Sequence, residues 1–318
     1  MKKRRHHYVW QHYLRAWTVG GKIACLHGGQ VFTTSTTNVA VKTDFYDLKG
    51  LTQIDLQVIE QMFMTKASPR LRRLQAGWIS AFATAVELSK KGDHLGADSA
   101  FAAAISNFEE DLHGRIESDA VPQLEALRNQ DLGFLDSEAE TASFFHFLSV
   151  QYLRTKKMKD TALGVISGCG ITIPGFDLER AWGLFNHISA NNIGYYLCTH
   201  RDQIKFTLLH SPEDMEFVTS DQPAINMQSV YLPAGQVPDG FDIYYPVSPR
   251  TALLLEADQP EGGRSHRVLE PEEVNDYNRV ILKTSHQQVF STRMATLRRL
   301  WESTVSNQAP NTGPQTDG

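Results

Sequence analysis

The chain has 318 residues and a mass of 35.7 kDa, with 41% of them apolar or aromatic, enough to bury a sizeable core without covalent or metal staples. Its 31 lysines and arginines against 36 aspartates and glutamates give a formal net charge of −5, which argues against coating nucleic acid through overall charge but leaves a local basic face open. Three scattered cysteines (Cys25, Cys169 and Cys198), no long apolar run, and histidines where a signal peptide needs apolar residues point to a cytoplasmic protein with no membrane partner and no disulfide framework.

Along the chain, the segment Val9–Trp17 predicts one or two helical turns with Trp10, Tyr13, Leu14 and Trp17 turned inward. Lys22–Phe32 then reads as a hairpin turning at Gly28-Gly29. A helical zone follows, with helices over 57–67 (broken at Pro69), 79–91, 99–116, from Ser137 to the cations Arg154, Lys156 and Lys157, and over 178–191. Strands are expected at 195–200, 205–211, 216–221, 242–248 and 251–257, then a helix from Pro271 to about His286, a strand at 288–291 and an amphipathic stretch at 294–305. The expected fold is α+β, one domain over 1–303: strand-rich parts at 1–53 and 193–303 sharing a mixed or antiparallel sheet, and a helical region at 54–192 packed on it. Residues 304–318 read as a disordered tail.

Four clusters could carry chemistry. In His6-His7-Tyr8-Val9-Trp10-Gln11, imidazoles at a helix start could bind a metal, transfer protons or simply cap backbone groups. In Gln151–Lys157, Gln151 and Thr155 share a helix face, and Arg154 can hold phosphate or carboxylate in two-pronged fashion or complement the helix dipole. In Glu216–Pro223, Ser220 and Asp221 stand at a strand end, where Asp221 could ligate a hard cation, orient a histidine or close an Asx turn. Asn275 and Asn278 share a face of the last long helix. Walker A, GxGxxG, HExxH and GxSxG signatures are absent.

Taken in order, HHYV with Tyr13-Leu14, Gln151–Thr155, Phe217–Pro223, Pro246–Pro249, and Asn275 with Asn278 resemble the bacterial domain of unknown function family 4238, whose motifs run HHYVPxxYL, QxxRT, TSDxP and PLSP. Phe45-Tyr46 and Ile59-Glu60 also match the segment between its first two motifs. Two departures stand out: Trp10 replaces the usual proline, and Lys66-Ala67-Ser68 stands where a second glutamate is expected. The resemblance implies a candidate role in bacterial defence against phage.

The expectation is an anti-phage effector that hydrolyses phosphodiester bonds with a divalent metal, magnesium or manganese ahead of zinc. His7, Arg154 and Asp221 would carry the chemistry, and His6, His7 and Asp221 would hold the metal. Tyr8, Gln11, Gln151, Thr155, Ser220, Asn275 and Asn278 would position the substrate, a nucleic acid or nucleotide, with a phage component as trigger. The alternatives are a non-catalytic sensor that binds a phage protein or a small anionic ligand, and an enzyme acting on a substrate other than nucleic acid.

Overall fold

The computed structural model describes residues 4–46, 50–92, 107–170, 172–233, 236 and 238–306. Short strands open the chain: β1 (Arg5–His7), β2 (Thr18–Val19), β3 (Lys22–His27), β4 (Gln30–Thr34) and β5 (Val41–Thr43), with the helical turn α1 (Gln11–Leu14) between β1 and β2. Among the described residues seven helices follow: α2 (Gln53–Met64), α3 (Pro69–Gly92), α4 (Phe108–Asp119), α5 (Val121–Arg128), α6 (Glu138–Leu153), α7 (Lys156–Gly168) and α8 (Leu178–Thr199). The chain then returns to strands β6 (Lys205–His210), β7 (Thr219–Ser220), β8 (Ile225–Asn226), β9 (Asp242–Pro246), β10 (Thr251–Glu256) and β11 (Gly263–Val268). It closes with α9 (Pro271–Thr284), β12 (Gln288–Ser291) and α10 (Met294–Ser306).

The architecture is α+β, and the two ends of the chain do share a sheet. C-terminal β12 lies between N-terminal β3 and β7, antiparallel to both, with Phe290 opposite Cys25 and Thr219. β2 and β4 complete this sheet on β3. A second sheet runs β11-β6-β10-β9-β8; only the β11–β6 pair is parallel. The central strands β3, β6, β9, β10 and β12 are buried on both faces, and the pleat sorts neighbouring side chains between two cores. Cys25, Leu208, Tyr245, Leu253 and Phe290 face a core that also holds Tyr13, Trp17, Phe144 and Phe147. Their chain neighbours Leu26, Leu209, Tyr244, Ala252 and Val289 face a second core closed by Ile281 and Leu297 of the last two helices. A third cluster packs α2, α3 and α8 together through Ile59, Phe82 and Ile188.

The inward aromatic set near the N-terminus is as the spacing predicts: Tyr13, Leu14 and Trp17 are fully buried and Trp10 packs against them. The Tyr13 hydroxyl bonds the Thr219 hydroxyl at 2.6 Å and donates to the Pro246 carbonyl at 2.7 Å, while Trp17 Nε1 donates to the Phe217 carbonyl at 2.8 Å. The first helical turn is thereby fastened to the ends of both sheets. The expected strand at 195–200 is instead the last part of α8. There Gly194 lets α8 approach the backbone of α6 at His146, and the packing of the two long helices overrides the β preference of Tyr195 and Tyr196. Pro69 does separate two helices, but by starting α3, where its missing N–H costs nothing. The strand expected over 216–221 shrinks to Thr219–Ser220. The expected helix at 99–116 is seen from Phe108 onward; residues 93–106, like 307–318 of the expected tail, lie outside the described residues.

Asp55 joins the start of α2 to the start of α8. Its carboxylate accepts from the Thr52 N–H at 2.7 Å, from the Asp177 N–H at 3.1 Å, and from Arg180 Nε and Nη2 at 2.6 and 2.8 Å. Burial alone would raise its pKa; Arg180 and the backbone donors outweigh that and hold it at about 2. A depressed carboxylate pKa stabilises the fold above the unfolded value and loses that effect as pH falls through the folded one. Asp55→Asn is expected to lower the unfolding free energy at neutral pH by about 2 kcal/mol. Urea unfolding over a pH series should show the gap from wild type closing between about pH 4 and 2.

Candidate functional site

A cleft of about 550 Å³ opens between the N-terminal motif and α4. His7, Trp10, Gln11 and Arg15 form one wall; Glu110, His113, Arg115, Glu117 and Asp119 form the other; Arg154 reaches in from the end of α6. Three predicted residues from two distant motifs, His7, Gln11 and Arg154, therefore meet. The sequence determines this placement locally. β1 pairs with β5 through His7 opposite Val41, and α1 starts at Gln11, one residue beyond the extended Trp10. Gln11 Nε2 lies 3.2 Å from His7 Nδ1 and fixes the ring across that turn. Burial lowers the His7 pKa, with the charges of Arg5 and Arg154 adding to the effect, so the ring is neutral at physiological pH.

Arg154 is fully buried at the cleft's inner end. Its Nε donates to the Tyr8 carbonyl at 3.2 Å, and its Nη2 pairs with the Glu117 carboxylate. Burial pushes the Glu117 pKa up, and Arg154 offsets part of that push. The cleft thus places a neutral imidazole, a fixed guanidinium and a carboxyl of raised pKa along one surface, a combination suited to proton transfer beside an anionic group.

The other predicted residues lie elsewhere. His6 is buried; its Nδ1 accepts the Tyr46 N–H at 2.9 Å, and its ring stacks on Tyr46. The Tyr8 side chain is buried, and burial and the Asp221 charge push its hydroxyl pKa up. Both carboxylate oxygens of Asp221 accept backbone N–H groups, from His286 at 2.8 Å, Gln287 at 2.8 Å and Gln288 at 3.1 Å. Asp221 therefore organises the turn before β12 and is not part of the cleft lining. Ser220 closes a turn with Gln222, accepting its N–H at 3.1 Å and donating to its carbonyl at 2.9 Å. Thr155 caps α7 and donates to the Gln222 side chain. Gln151 is buried with neither amide atom hydrogen-bonded among the described residues. Asn275 and Asn278 line a different cleft of about 250 Å³. There Asn278 accepts the Val218 N–H and donates to the Glu216 carbonyl, each at 2.9 Å.

The expected metal set of His6, His7 and Asp221 does not converge. Among the described residues, the group of histidine and carboxylate side chains with converging ligand atoms is Glu109, His113 and His187, all within 4.8 Å of one another. Burial raises the Glu109 pKa to about 8, lowers that of His187 to about 3, and keeps His113 neutral as well. The Glu109 carboxylate rests against Gly183 of α8, where a Cβ would lie 2.5 Å from its Oε2. The Glu-x-x-x-His spacing in FEEDLHGRI was the available sequence signal; His187 joins it only through the packing of α8 against α4.

Fold and site together define an α+β protein with a charged cleft between its N-terminal motif and its helical region. No helix among the described residues is long and apolar enough to cross a membrane. The chain belongs to the family described as protein of unknown function DUF4238, which matches residues 5–164 and 176–294. No curated protein and no solved structure matches it.

Because Asp221 and Asn278 are buried and satisfy backbone groups away from the cleft, Asp221→Ala and Asn278→Ala are each expected to cost roughly 2–3 kcal/mol of stability. Equilibrium urea unfolding should show a lower midpoint at unchanged slope.

Proposed function

We propose that the protein hydrolyses phosphodiester bonds of a nucleotide or nucleic acid in the cleft between the N-terminal motif and α4, and that it does so as an effector of anti-phage defence. The observation that carries the chemistry is the meeting of His7, Gln11 and Arg154 in one cleft beside carboxylates of α4. The resemblance to a family of defence candidates supports the context, with a phage component as trigger.

In this reading the neutral His7 ring takes the proton of an attacking water at Nδ1, the lone pair to which Gln11 Nε2 donates until the water displaces it, and returns that proton to the departing oxygen as the P–O bond breaks. Arg154, already fixed by Tyr8 and Glu117, stabilises charge developing on the phosphate oxygens without reorganising. Arg15 and Arg115 on opposite walls offer cationic contacts to an anionic substrate, among the carboxylates of Glu110, Asp111 and Asp119. A second reading, a non-catalytic module binding a small anionic ligand, is favoured by one observation: Arg154 and His6 both serve backbone or internal partners.

Cleavage of RNA, DNA and nucleotides by tag-free protein tests the proposal. His7→Ala is expected to lower kcat by roughly 100-fold or more, and Arg154→Lys to lower it by about 10-fold or more by losing the fixed two-pronged geometry. Because the His7 pKa lies below its ordinary value, kcat/KM should fall only on the acid side, below about pH 6.5, and His7→Ala should abolish that limb. Cleavage unchanged in folded His7→Ala protein would sink the assignment. Ligand binding without any cleavage would favour the second reading.

A further inference from the structure

Behind the cleft, α4 and α8 hold polar side chains that the fold's own hydrogen bonds do not explain. Glu109 and His113 stand four residues apart on α4 and share a face, and His187 comes from α8. All three are buried, and Glu109 Oε1 lies 3.8 Å from His113 Nε2. Both ring nitrogens of His113 and both of His187 lack a hydrogen-bond partner among the described residues. Buried polar atoms are nearly always paired, so four orphaned nitrogens beside one carboxylate require an explanation.

We propose that Glu109, His113 and His187 bind a divalent first-row transition-metal ion of the zinc class. Two imidazoles and one carboxylate are a donor set that zinc accepts with a coordination position left over, whereas magnesium and calcium prefer oxygen ligands throughout. The rings are already held. Trp78 stacks on His187 with centroids 4.7 Å apart, and Tyr46 packs on His113 at 4.5 Å. His146, whose Nε2 is also buried without a partner, stands close enough that a charge on its ring would act on both histidines, and burial disfavours that charge. The positive charge of Arg154 reaches both histidines and opposes a cation; its pairing with Glu117 reduces that opposition.

The ion is reachable from two sides. His113 lines the 550 Å³ cleft, and Glu109 lines a small cavity of about 20 Å³ bordered by Lys159, Glu179 and Arg180. Ion binding stands on these contacts alone; its service to phosphodiester hydrolysis rests on the function proposed above, since His113 is the residue shared with that cleft.

The test loads tag-free, full-length protein with zinc, manganese or magnesium, dialyses it, and counts metal per chain by mass spectrometry. Cobalt substitution reports the ligand field through its visible absorption. Expected are about one zinc retained per chain and no magnesium. Glu109→Gln, which preserves shape, and His187→Ala should each reduce retained zinc to roughly a tenth or less. His7→Ala and Asp221→Ala should retain it. Circular dichroism establishes folding, and should His187→Ala fail to fold, Glu109→Gln and the wild-type cobalt spectrum decide. No zinc in folded wild-type protein, or zinc retained in Glu109→Gln, would overturn the proposal, as would zinc lost with Asp221→Ala while the protein stays folded. Cleavage without bound zinc would overturn the metal site and leave the hydrolytic reading standing; stoichiometric zinc without cleavage would do the reverse.

Discussion

The buried guanidinium of Arg154 is the constraint on which the site depends. A charge removed from water is tolerated only where its donors are met, and here a carboxylate from α4 and a main-chain carbonyl from the N-terminal motif meet them. Three stretches far apart in the chain are thereby held at one point. The two walls of the cleft owe their spacing to that contact, and Glu117 would be left as an uncompensated buried carboxyl without it.

Around that point the scaffold is built by central strands buried on both faces. Alternation along β3, β6, β9, β10 and β12 sends successive side chains to different cores, so a shift of one residue in register would exchange the two cores' contents. Tyr13 and Trp17 prevent such a slip at the N-terminal end by bonding to atoms of both sheets' strand ends. The cleft's N-terminal wall, the separate β1–β5 ribbon and α1, is consequently tied to both sheets through Tyr13 and Trp17.

Much of this was legible in the sequence. The 10, 13, 14, 17 spacing of aromatic and aliphatic residues marked the buried turn, the Gly28-Gly29 pair marked the hairpin, and the shared sheet followed from strands at both ends of the chain. Arg154 and His7 were readable as polar groups at element ends. Asp221 was not readable as structural, because a carboxylate at a strand end has the same residue type whether it meets a cation or three main-chain donors. Only the position of the 286–288 turn decides between them. His187 was invisible for a different reason: it lies inside an apolar helical pattern, and its partners belong to another helix.

The contact between Glu109 and Gly183 has a consequence for descent. A carboxylate lies where the Cβ of any other residue would stand, 2.5 Å from its Oε2. A lineage that places a side chain at position 183 must shorten or displace residue 109, and one that loses the carboxylate frees position 183 to change. The two positions thus share one space, although 74 residues separate them in the chain.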